Sequence, residues 1–177
     1  CAHGQEIALY MFKYLLILFI VVSTSYSQSN WYGGNLKKVS DVSIDISVNG
    51  LDDPMWEEKV LQLSYLFIER YKLKINTENF SPSLVIRISV IEPGNNPLVS
   101  YNIDLSVYDL FITKEDYTKN FTKKKILKKF KTGIIYQQNI LGQSSNEKMR
   151  ADMENTLLTL LDKFIDQWYQ DNPIKQF

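Results

Sequence analysis

Histidine and cysteine are all but absent. Cys1 and His3 are the only examples in 177 residues, and both stand upstream of Met11. From Gln28 onward there is neither, which excludes Ser/His/Asp and Cys/His nucleophilic catalysis, thioredoxin-type redox chemistry and the usual zinc sites. A disulfide framework is excluded as well, so a fold outside the cytoplasm must rest on its own apolar core. Net charge is missing too. Twenty Lys and Arg face twenty Asp and Glu, leaving no global pull toward nucleic acid. No catalytic residue, cofactor or metal site is expected, and no nucleic acid partner.

Long apolar runs are also scarce, with one exception. Lys13 is followed by Tyr14 to Val22, all apolar, and then by a polar stretch from Ser23 to Ser27. A positive start, an apolar core of roughly 7–15 residues and small residues at its end make a secretory signal. The run is short of the ~20 residues that a membrane-crossing helix needs. Ser25 and Ser27 fall at −3 and −1 of a cleavage before Gln28. The expectation is therefore a signal over 11–27, with Met11 as the start of translation and residues 1–10 a misassigned upstream extension. No lipid-bearing cysteine follows the run, and no permanent membrane span remains after cleavage.

The chain from Gln28 is about 150 residues, one domain able to bury about 68–70% of its unfolded surface. Residues 28–38 are polar and contain Gly33 and Gly34, which predicts a flexible lead-in. A single domain is expected over 39–172, with 173–177 a tail. Val42, Ile44, Ile46 and Val48 alternate with polar residues and predict a half-buried strand ending at Asn49-Gly50. Asp53 and Pro54 then open a helix to about Leu73, with Trp56, Val60, Leu63, Phe67 and Tyr71 as its apolar stripe. Strands are predicted over Ser83–Glu92 and Ser100–Ile112, joined through the turn signal Pro93 to Pro97, and over Gly133–Leu141. Ser144 and Glu147 fit a capping box before a last helix, whose stripe is Met153, Leu157, Leu160, Leu161, Phe164 and Trp168, and which stops at Asn172-Pro173. The order β-α-β-β-β-α predicts an α+β two-layer sandwich: about four mainly antiparallel strands covered by two amphipathic helices.

This order of elements behind an export signal, closing on the Phe164-Ile165-Asp166-Gln167-Trp168 helix end, resembles small bacterial cell-envelope domains of the LptE and TolB N-terminal type. The signal ending in Ser27-Gln28 resembles those of Bacteroidetes. The likeness lies in the element order and in no motif, so it carries over no residue. It implies an exported protein: periplasmic, outer-membrane-associated or secreted.

The most distinctive local feature is Lys114 to Lys131, where eight lysines meet only Glu115 and Asp116, a local net of +6. Lys119, Lys123, Lys124, Lys125, Lys128, Lys129 and Lys131 are the candidate anionic-surface residues, interleaved with Tyr117, Phe121, Ile126, Leu127 and Phe130. Lysines beside an anionic surface contribute about 1 kcal/mol each, so lipid headgroups or lipopolysaccharide phosphates are the candidate partners. A solvated connection is the plain alternative. Trp31 and Tyr32 form a candidate aromatic pair for an envelope protein partner, or pack on the domain edge. Asn120-Phe121-Thr122 matches a glycosylation sequon, which matters only on a eukaryotic route. Asp45 and Asp104 on the polar strand faces would make a glycosidase-like pair if their strands were neighbours. Three readings follow: a non-enzymatic exported binding or assembly module, a small-ligand binder with a pocket between helices and sheet, and a carboxylate-dependent hydrolase.

Overall fold

The computed structural model describes residues 33–78, 82–91, 98–119 and 129–173. By its contacts the chain divides between Gly33 and Gly34, and the strands and helices among the described residues belong to the unit from Gly34 onward. The predicted signal, Trp31, Tyr32 and the turn from Pro93 to Pro97 lie outside the described residues.

Five strands form one mixed sheet: β1 (Asp41–Asn49), β2 (Lys74–Ile75), β3 (Ser83–Ile91), β4 (Leu98–Phe111) and β5 (Lys131–Ser145). Their order across the sheet is β2-β1-β3-β4-β5. β1 runs parallel to both neighbours, while β3, β4 and β5 form an antiparallel meander. The expected α+β class holds, but with a fifth strand and a parallel half. β2 is two residues long, too short for its alternation to register in the sequence. The parallel pairing follows from α1 (Pro54–Arg70) lying between β1 and β3, a crossover that a tight hairpin turn cannot replace.

Register explains why one face is buried. The rows Ile44–Leu84–Val107–Tyr136 and Ile46–Ile86–Leu105 bring apolar residues side by side. The alternate rows carry Asp45, Arg87, Asp104 and Asn139. Against the apolar face lie α1 and α3 (Met149–Asp171); a third helix among the described residues, α2 (Lys114–Lys119), buries nothing. All six residues of the predicted α3 stripe are buried. At α1 the buried line is Trp56, Val60, Ser64 and Ile68, with Leu63 and Phe67 only half-buried. Ser64 escaped the pattern because its hydroxyl is satisfied within the helix, donating to Val60 O at 2.9 Å.

Local chemistry sets the element ends. Asp53 Oδ1 accepts the Trp56 N–H at 3.1 Å and Pro54 occupies the first turn, the expected cap. α1 stops at Arg70 rather than Leu73, since Lys72 turns left-handed at φ 61° and its N–H bonds Glu69 O. Gly50, at φ 81°, ends β1 where an added Cβ would lie 2.0 Å from Val90 O, so no other residue fits without displacing backbone. The capping box is not formed. Ser144 and Ser145 belong to β5, and Lys148 takes the N-cap position with no side-chain cap bond. Ser144 instead donates its hydroxyl to Asp152.

The start of the unit also departs from expectation. Residues 34–38, read as part of a loose lead-in, are held by the end of α3. Asp171 accepts the N–H groups of Gly34 (2.8 Å) and Leu36 (2.9 Å). Asn172 accepts the N–H of Lys38 and donates to Leu36 O, each at 2.9 Å. Leu36 is fully buried. A single apolar residue among glycines and lysines gives no period, which is why this anchor was illegible.

Candidate functional site

The described part of the lysine-rich connection sits at the end of the sheet where β4 leaves and β5 enters. Thr113 caps α2: its Oγ1 accepts the Asp116 N–H at 3.2 Å and donates to Asp116 Oδ2 at 2.8 Å. This fixes Asp116 between two cations, Lys129 Nζ at 3.9 Å and Lys131 Nζ at 3.8 Å. Lys119 is exposed and pairs with Glu115 one turn away. Exposed pairs of this kind contribute about 0–1 kcal/mol and leave the lysines free to exchange partners. Lys123, Lys124, Lys125 and Lys128, together with the Asn120–Thr122 sequon, lie outside the described residues.

Apolar side chains collect at the same end. Leu110, Phe111, Tyr117, Phe130 and Ile134 are each between 41% and 57% exposed. Register places Phe111 opposite Lys131 and Leu110 opposite Thr132. The Phe111 ring lies over Gly133, where a Cβ would come within 2.5 Å of it; the glycine thus lets a half-exposed ring lie flat on the sheet. A bulge at Val107/Tyr108 shifts the register just before this point, and it turns Ile134 onto the helix-free face beside Tyr108. The sequence singled out the lysines here. It missed Leu110, Phe111 and Ile134, which read as ordinary strand residues and become exposed because no helix covers this end and, for Ile134, because the bulge turns it onto the helix-free face.

The other candidates resolve differently. Asp45 and Asp104 share the helix-free face, but β3 lies between their strands, and Arg87 on β3 is the direct partner of Asp104. Two strand spacings amount to about 9.6 Å before any diagonal offset, and the cation between them opposes the role of a paired acid and base. Asp104 is already engaged, accepting from Ser106 Oγ and Gln137 Nε2, both at 2.6 Å. The Arg87 guanidinium donates to Tyr108 Oη at 3.1 Å and lies 5.6 Å from the centre of that ring. The hydrogen bond to Tyr108, with the charges of Asp104 and Asp45, pushes its pKa further up. The glycosidase-like arrangement is therefore not formed.

Between helices and sheet the space is filled by Trp56, Met153, Phe164 and Trp168. Two furrows of about 340 and 410 Å³ lie instead along β1. The smaller is lined by Ile44, Asp45 and Ile46 with Pro54, Glu57, Glu58 and Leu61 of α1. Among the described residues no group of His, Cys, Asp or Glu is placed to hold a metal ion, and no helix is long and apolar enough to cross a membrane.

No family model matches the chain, and no curated protein matches it. Among solved structures, it is similar to a minor lipoprotein from Acinetobacter baumannii, with 9% identity, 76% of this chain and 95% of that chain covered, and a TM-score of 0.34. A likeness of that size carries no argument about what this chain does.

Proposed function

We propose that the protein is an exported, non-enzymatic binding or assembly module of the cell envelope that rests the β4–β5 end of its sheet on an anionic surface. The observation that carries this reading is the coincidence, at one end of the sheet, of five half-exposed apolar side chains with the lysines of α2 and β5. Apolar residues give depth of contact at a headgroup boundary and lysines give attraction to phosphate, and the two together hold where either alone does not. Lipid headgroups and lipopolysaccharide phosphates share that chemistry.

The test is co-sedimentation with vesicles of anionic lipid, of neutral lipid, and of neutral lipid doped with lipopolysaccharide. Binding is expected to the first and third and not to the second. It should weaken steeply with salt, since the screening length falls from about 10 Å at 0.1 M to about 3 Å at 1 M. Replacing Lys119, Lys129 and Lys131 by Gln, together with Lys123, Lys124, Lys125 and Lys128, should abolish it with the melting temperature unchanged. Equal retention of the wild type and this variant on anionic vesicles would refute the proposal.

A further inference from the structure

From Ser43 to Asn49, β1 is paired on only one side. The Ser43 N–H donates to Pro82 O on the β3 side at 2.9 Å, whereas Val42 O accepts from Asn76 on the β2 side, also at 2.9 Å. Successive strand residues point their backbone groups to opposite edges. Ser43, Asp45, Ser47 and Asn49 therefore serve β3, and Ile44, Ile46 and Val48 face outward. β2 reaches only Asp41 and Val42, so among the described residues no strand pairs with those three. An edge that presents backbone donors and acceptors in extended register is a template for another strand unless the protein blunts it. This one carries no proline, lysine or bulge.

Its furrow selects by charge. Glu57 and Glu58 of α1 line it and no basic residue does, while the Asp45 carboxylate lies on the other, helix-free face of the strand. A second copy of this chain pairing along the same edge would bring its own Glu57 and Glu58 against these, which is unfavourable. A strand with lysine or arginine at alternate positions meets complementary charge while taking the backbone bonds. We infer that the β1 edge accepts an extended cationic segment of a partner protein by strand addition, its outward N–H and C=O groups at Ile44, Ile46 and Val48 supplying affinity and the carboxylates of Glu57 and Glu58, on the helix side of the edge, supplying selection. The edge lies across the sheet from the lysine-bearing end and is independent of what that end binds.

The experiment uses a synthetic nonapeptide alternating lysine and valine, with a glutamate–valine peptide and an alternately N-methylated lysine–valine peptide as controls. Added to the folded protein, the first should shift the Ile44, Ile46 and Val48 amide resonances and slow their hydrogen exchange. The N-methylated peptide, which cannot complete the backbone bonds, should do neither. The surface variant Glu57→Gln/Glu58→Gln should weaken binding about tenfold while keeping the melting temperature. Binding that leaves those three amides unchanged, equal binding of the glutamate–valine peptide, no binding at millimolar peptide, or dimerisation of the protein alone through β1 would each overturn the inference.

Discussion

Asn172→Ala tests the anchor that ties the start of the unit to the end of α3. Asn172 is 8% exposed, and its side chain makes three bonds of 2.9 Å: it accepts from Lys38 N and donates to Leu36 O and Trp168 O. Truncation leaves the carbonyl of the fully buried Leu36 with only its longer bond from the Val39 N–H, at 3.2 Å, and takes the acceptor from the N–H of Lys38, which holds a left-handed φ of 71°. A left-handed non-glycine residue carries about 1–2 kcal/mol of strain, and that strain is sustained only while its N–H is engaged. Loss of a partner leaves each buried group about 1–3 kcal/mol worse off. Since Leu36 O keeps the Val39 N–H, water can reach Lys38 and Asp171 still holds Gly34 and Leu36, the low end applies, giving about 1–2 kcal/mol in all. Urea unfolding followed by circular dichroism should show that loss as a lower midpoint, with the slope nearly kept because one short segment adds little newly exposed surface. Asp171→Ala on top of it should cost more than its own single effect, since both side chains act on one segment. A loss below about 0.5 kcal/mol for Asn172→Ala would refute the reasoning and restore a loose lead-in through Lys38.

Three further outcomes are expected. Trp168→Ala should cost about 3–5 kcal/mol by the same unfolding assay, because the indole is buried and donates to Val39 O at 2.9 Å; an unchanged melt would mean that α3 does not pack through this residue. Gly50→Ala should cost about 2 kcal/mol or more, from left-handed strain together with the Val90 O contact, and a neutral result would show that the turn relaxes freely. The Asp53 carboxyl is held below the usual range, first by the Arg150 guanidinium and then by the Trp56 N–H. A lowered folded value gives stability that is present above the unfolded value of about 3.9 and lost as pH falls through the folded one. The unfolding midpoint of Asp53→Asn, which keeps a cap but not the charge, should therefore fall less than that of the wild type below about pH 4; parallel curves would sink this.

What the sequence disclosed was whatever has a period. The α3 stripe from Met153 to Trp168 and the alternation of β1, β3 and β4 rest on local repeats, the Asp53-Pro54 helix start on an equally local cap, and each reappears in the structure. What it hid was set by distant partners. Ser144 reads as a cap yet extends a strand, because β4 is long enough to pair with it at Val99. Leu36 reads as an isolated apolar residue and is fixed from 136 positions away. The candidate site divides the same way: charge concentration marked Lys119, Lys129 and Lys131, but only the uncovered end of the sheet and the bulge beside Tyr108 leave Leu110, Phe111 and Ile134 in the open.

The strand order also dictates a sequence of events in time. β3, β4 and β5 are consecutive in the chain and pair with their immediate neighbours, across connections of six residues (92–97) and nineteen (112–130), whereas β1 and β3 are separated by residues 50–82. β1 must find β3 across α1 and β2, and the Leu36–Asp171 bond closes a separation of 135 positions. Long closures are entropically late. The meander should therefore be the early-forming half, with β1 docking afterwards and the Asp171–Asn172 anchor latching it last. Contacts made after the transition state govern escape rather than arrival. Weakening the anchor should leave the refolding rate almost untouched and shorten the lifetime of the native state, and the first backbone amides to open in that state should be those of Gly34, Leu36 and Lys38, followed by those of β1.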